Sequence, residues 1–274
     1  MYSPPTDPDD ERRMRREFGL SADRLSVTLD GPEIWGWHGR TLSSHAAHPD
    51  HGSCWLRMLS APQDKAGGKI WEGNREAAVL LDDRVHKPAL HGTSHDTRDG
   101  YAHLAELHSF VSEPVCSSSP VLRQNLYLPS TWWQSLREDL EEVNKTPTER
   151  VAVRQEWVDR SVPRFLDLPA PRITEWATAH GDLHAANLTS VTPVLLDWEG
   201  FGLAPVGYDA AMLLAYSLLV PGFADRVREA FPVLATEPGR VAQLVVLTEL
   251  MQSASRGDHP ELIPLLRALA AELG

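Results

Sequence analysis

Apolar and polar positions along the chain fall into two regimes. From Leu25 to Leu59 short apolar stretches are separated by Asp30-Gly31-Pro32, His38-Gly39 and Pro49-Asp50-His51-Gly52, with Trp35, Trp37, Leu42 and the run Cys54–Leu59 between them. Short runs punctuated in this way predict antiparallel strands. Lys87–Gly92 and Tyr101–Val111 predict two more. Ahead of them, Asp10–Phe18 reads as a helix with Met14 and Phe18 on one face and Gly19 as its stop, and Glu72–Leu81 as a second helix. Beyond residue 120 the spacing becomes helical. Trp132, Leu136, Leu140 and Val143 recur at i, i+4, i+8 and i+11. Thr146-Pro147 with Glu149 predicts a capped start for the next helix, running through Trp157, Val158 and Val162 to an end at Pro163. Ala210–Val220 (stopped by Pro221-Gly222), Val241–Met251 and Leu262–Leu273 predict three further helices. The serine-rich stretch Val115–Ser119, followed by Pro120, reads as a linker between the two regimes.

With 274 residues the chain is long enough for one large domain or for two lobes with separate cores. Its formal charge of −12 argues against nucleic acid as a partner, because nothing offsets phosphate repulsion, and is compatible with a cationic substrate. Two cysteines, Cys54 and Cys116, make no disulfide scaffold, so a reducing cytoplasm is the expected compartment. Met1–Asp10 lacks an apolar signal core, and the most apolar run, Ala210–Val220, is too short to span a bilayer, so no membrane association is expected. No feature of the chain sets an oligomeric state.

The chemistry concentrates in His180-Gly181-Asp182-Leu183-His184-Ala185-Ala186-Asn187-Leu188, followed by Val194-Leu195-Leu196-Asp197-Trp198. A strand, a polar loop and a second strand, turned at Thr189–Pro193, would bring Asp182, Asn187 and Asp197 to one end of a small sheet. Singly, each has an ordinary structural reading, as a turn carboxylate, a left-handed residue and a strand-end cap. His180, Asp182 and His184 also share one face if the stretch is extended, which opens a metal reading, but no further strong ligands accompany them. His86, His91, His95, His103 and His108 follow no ligand spacing. Together, a carboxylate that orients a hydroxyl and oxygen ligands that hold Mg²⁺ are what phosphoryl transfer requires.

The order H-x-D-x-x-x-x-N, an apolar strand and then D matches a kinase catalytic loop and its metal aspartate. The fuller form, HGDLHxxNL with LLDWE and then Gly207-Tyr208-Asp209, resembles the aminoglycoside phosphotransferase and choline kinase-like family of small-molecule kinases. The resemblance implies an α+β, two-lobed protein-kinase-like fold, with a small antiparallel-β N-lobe over residues 1–112 and a larger, mainly helical C-lobe over 113–274. It implies transfer of the γ-phosphate of ATP or GTP to a hydroxyl of a small acceptor such as an aminoglycoside or another amino alcohol or sugar. In that reading Asp182 is the catalytic carboxylate, Asn187 and Asp197 hold Mg²⁺, and His180 and Asp209 support the loop. His184 approaches the phosphates or substrate, or serves the structure. On the strand Cys54–Leu59, Arg57 stands where the family usually has a phosphate-binding Lys, with Glu76 as its helix-borne partner; an exposed Arg and a surface Glu are the plain alternatives. No G-x-G-x-x-G occurs, so the phosphate-covering loop is expected near Trp37–Thr41. Only ten residues separate Asp197 from Gly207, with no A-P-E element, which leaves no room for a protein-kinase activation segment. A catalytically silent, nucleotide-binding regulator on the same fold is the rival reading.

Overall fold

A computed structural model describes residues 3–274. The chain divides into two compact units: one runs up to Ala78 and includes Pro88–Ser112, and the other comprises Val79–Lys87 and Glu113–Gly274.

The first unit is an antiparallel sheet with a helix on each face. Its strands are β1 (Thr28–Leu29), β2 (Ile34–Trp35), β3 (Thr41–His48), β4 (Gly52–Pro62), β5 (Leu90–Arg98) and β6 (Tyr101–Ser109). They run in the order β1-β3-β4-β6-β5, with β2 also paired to β3. Alternation along β4 decides which side chains go where. Cys54, Leu56 and Met58 pack with Met14, Phe18 and Ala22 of α1 (Pro8–Arg24). Arg57 and Leu59 take the other face, where Leu59 packs with Leu104 and with Trp71 of α2 (Lys69–Leu81). Helix α1 starts where Asp7 accepts the Asp9 N–H (2.8 Å) and runs through Gly19, which the sequence reading took for its end. Ser21 and Ala22 beyond the glycine are still buried, and that packing outweighs a helix-interior glycine's cost of about 1 kcal/mol. The stretch Trp37–Thr41 is the β2–β3 hairpin tip. His38 and Gly39 both take positive φ (51° and 68°), as a two-residue turn matched to strand twist requires.

The second unit is helical around one short ribbon. Its helices are α3 (Ser130–Lys145), α4 (Gln155–Leu166), α5 (Tyr208–Tyr216), α6 (Pro221–Ala230), α7 (Glu237–Ala254) and α8 (Ile263–Leu273). The ribbon pairs β7 (Trp176–Ala179) with β8 (Gly202–Pro205), and α7 packs against α4, α5 and α8. Four expectations are corrected here. Thr146 ends α3, its hydroxyl donating to the Glu142 carbonyl (2.8 Å), and α4 begins only at Gln155. The intervening backbone is claimed by β8: Ala152 and Val153 N–H donate to Leu203 O, and Leu203 N–H donates to Arg150 O. Pro163 lies inside α4, which continues to Leu166. Pro221 opens α6 instead of closing α5, since a first helical position needs no N–H donor. Val115–Ser117, read as linker, is docked: Val115 bridges Thr189, and the Cys116 and Ser117 N–H groups donate to Leu188 and Ala185 carbonyls. Burial there pushes the Cys116 thiol up to about 12. Among the described residues no helix is long and apolar enough to cross a membrane.

Candidate active site

In the second unit β7 delivers the chain to His180, whose side chain is fully buried. Its Nε2 lies 2.9 Å from the Leu196 carbonyl, and its Nδ1 accepts the Asp182 N–H (3.3 Å). Both ring nitrogens are thereby used, and burial lowers its pKa to about 3, leaving a neutral brace between the two strand ends. Asp209, at the start of α5, accepts the His180 N–H on Oδ2 (2.8 Å) and the Gly181 N–H on Oδ1 (2.9 Å). Burial raises the Asp209 carboxyl to about 6, against those two backbone hydrogen bonds, which lower it. Gly181 has φ 86°, and a Cβ there would overlap the Gly200 carbonyl; Gly200 in turn faces the Gly181 backbone. The loop bearing Asp182 and the turn after Asp197 therefore meet backbone to backbone.

The sequence-predicted residues gather on this frame. The Asn187 Nδ2 donates to the Asp182 carbonyl (3.0 Å) and to Asp182 Oδ2 (3.3 Å). The Leu196 N–H donates to Asn187 O (2.9 Å), and Leu188 bridges Leu195, so the tight turn at 189–194 sets Asp197 one residue beyond a bond to Asn187. Asp197 itself is left-handed (φ 60°, ψ 76°), a conformation that costs a non-glycine residue about 1 kcal/mol or more. Trp198 locks it in place, its Nε1 donating to Leu195 O (3.0 Å) and its ring lying 4.5 Å from that of His180. His184 is buried with Nε2 3.6 Å from Asp182 Oδ2 and its ring edge-on to Tyr216 (5.3 Å). Burial lowers His184 to about 4 despite the Asp197 charge, so at neutral pH it is an uncharged imidazole. Asp182 stands apart from its buried neighbours, with 43% of its side chain exposed.

The first unit carries a second cluster of predicted residues. Arg57 on β4 faces Glu106 in the β6 register, and its Nη1 donates to Glu106 Oε2 (3.1 Å). Asn74 of α2 donates to the same oxygen (2.8 Å). Burial alone would raise the Glu106 carboxyl, but hydrogen bonds from His108 and Asn74 and the Arg57 charge hold it below the usual range. Glu76, the partner expected for Arg57, sits half-buried on α2 two residues beyond Asn74. Among the described residues, no group of three or more His, Cys, Asp or Glu forms a ready-made metal cage.

Residues 84–244, more than half of the chain, match the profile of the phosphotransferase enzyme family, APH. The chain belongs to that family. Among solved structures, this phosphotransferase is similar to an amicoumacin kinase in complex with AMP-PNP, Ca²⁺ and Ami. The TM-score is 0.57 at 12% identity, covering 96% of this chain and 93% of the other, which establishes a shared kinase-like fold. No curated protein matches.

Sequence reasoning missed two residues of the phosphotransferase's cluster in the first unit, Glu106 and Asn74. A charged residue in the otherwise apolar run Leu104–Leu107 was the available signal for Glu106. Asn74 carried none, because an Asn on a helix is usually solvated. In the second unit the missed residues are Tyr216 and His259, whose rings meet edge-on (5.6 Å) and extend the row from Asp182 through His184.

Proposed function

We propose that the chain moves the terminal phosphoryl group of a nucleoside triphosphate onto a hydroxyl of a small acceptor, with Asp182 orienting that hydroxyl and taking its proton. One observation carries the reading: Asp182 is a partly exposed carboxylate on a loop whose other polar side chains, His180, His184 and Asn187, are buried. Its Oδ2 is steered by the Asn187 amide, its backbone by His180, and the loop beneath by Asp209. A group held in this way loses little entropy when an acceptor arrives. Asn187 and Asp197 would hold Mg²⁺, and two protein oxygens suit an ion that keeps water and phosphate oxygens as its other ligands. Bound there, the ion would neutralise charge on the phosphates. Arg57 is the phosphate-facing cation of the first unit, prevented from swinging by Glu106 and Asn74. Glu76 supports that strand–helix arrangement. His184, being neutral, positions Asp182 and lines the acceptor side; it is not a phosphate-binding cation.

The aromatic row His184–Tyr216–His259, with Asp258 beside it, favours an acceptor that offers C–H faces and positive charge. Aminoglycosides and other amino sugars or amino alcohols have that chemistry. The first test is Asp182→Asn. Phosphoryl transfer to a cationic amino sugar should fall by about 10²–10⁴-fold while binding of ATP or GTP with Mg²⁺ persists. Unchanged turnover would remove Asp182 from its role. Titration of both nucleotides with and without Mg²⁺, on wild type and Asp197→Asn, assigns the metal carboxylate and the preferred base.

A further inference from the structure

Behind the catalytic loop, within the second unit, α3, the β7–β8 ribbon and the segment Ala230–Val233 border a half-open cavity of ≈ 220 Å³. Tyr208, Asp209 and Ala210 line one side, so it abuts the rear of the residue that holds His180 and Gly181. None of Asp182, His184, Asn187 or Asp197 reaches it. The lining is largely apolar, with Leu140, Phe231 and Val233 prominent.

Arg137, Leu140, Glu141 and Asn144 lie at i, i+3, i+4 and i+7 and present one face of α3 to this space. Arg137 is half-buried there, and among the described residues no ion pair or side-chain hydrogen bond engages it. The Glu141 carboxylate, one turn away, is exposed and outside ion-pair distance of it. The Asp209 oxygens are already taken by backbone N–H groups. The cavity therefore combines apolar walls with one partly desolvated, uncompensated guanidinium, a group that receives a carboxylate through two parallel hydrogen bonds. A cavity of about 150 Å³ accommodates benzene, so this one has room for a second fused ring.

We infer that the cavity is a second small-molecule site, separate from the acceptor and nucleotide positions, for a flat apolar body bearing one carboxylate. A ligand there touches the start of α5, the element that anchors the catalytic loop.

The binding claim is tested without reference to phosphoryl transfer, by calorimetric titration of the full chain with 2-naphthoate and with its uncharged isostere 2-naphthalenemethanol. The acid should bind at least tenfold more tightly than the alcohol. Arg137→Gln should erase that difference, the value of one charge-assisted contact. Val233→Trp, which fills the space from its half-buried rim, should abolish binding of both, and Ala230→Leu fills it from another wall should the tryptophan variant fail to fold. Absence of saturable binding of the acid to wild type, equal affinity for acid and alcohol, or undiminished binding in the filled variant would each overturn the site.

Discussion

Arg57 and Asp182 are presented by opposite means. Arg57 sits on an unbroken strand: alternation turns it away from the α1 core, register sets Glu106 beside it, and α2 brings Asn74 to the same oxygen. Asp182 sits on irregular backbone, between a glycine at φ 86° and a short turn through Asn187, with a left-handed Asp197 nearby. No ladder holds that geometry, so it depends on side chains that reach in from elsewhere, Asp209 from α5 and His180 from the end of β7. A sheet therefore presents a charge through its neighbours, whereas a loop presents one through a buried polar frame, and the two should fail differently.

Predictions follow from that contrast. Glu106→Ala removes the carboxylate that Arg57 donates to inside the first unit, and breaking a buried pair in this way should cost about 3–5 kcal/mol. Urea unfolding monitored on the first unit checks it, and a change within 1 kcal/mol would mean the pair is not what holds the strand–helix contact. Gly181→Ala forces a Cβ into Gly200 and a left-handed conformation on an L side chain, for about 2–4 kcal/mol. Its distinguishing mark is that phosphoryl transfer should fall even under conditions where the variant is fully folded.

The loop frame also carries a pH signature of its own. His184 titrates near its ordinary value of 6.5 when unfolded but only near 4 when buried, so the native state takes up fewer protons between those values. Stability is then lost as pH falls from 6.5 toward 4, by about 2 kcal/mol from this residue at pH 5. His184→Gln does not titrate, so the stability difference between pH 7 and pH 5 should shrink by about that amount in denaturant titrations. The smallest effect is a gain. Gly19 lies inside α1 with nothing within 4 Å of a Cβ, and Gly19→Ala should stabilise by about 0.5–1 kcal/mol, read as a raised melting temperature.

What was legible in the sequence tracks how local each determinant is. The candidate residues of the second unit lie within eighteen positions, and the chemistry expected of them constrains type and order together, so His180, Asp182, Asn187 and Asp197 stood out without a structure. The stripe of α3 and the alternation of β4 were visible because period alone decides them. Thr146-Pro147 carried a sound local start signal, yet pairing of Arg150–Val153 with β8, fifty residues on, took that backbone away from a helix. Gly19 carried a sound stop signal and was overridden by burial of residues after it. The partnership of Arg57 with Glu106 required knowing that β4 and β6 are neighbours, which no spacing encodes.

The apposition of Gly181 and Gly200 has a bearing on how such a site can diversify. With no side chain between them, the segment carrying Asp182 and the segment carrying Asp197 have no slack along which one could drift past the other. On the proposed function, substitutions that retune the acceptor would be confined to surfaces that do not pass through this seam, such as the turn bearing Asp258 and His259. Catalytic geometry and acceptor choice become separable traits, one frozen and the other free to vary.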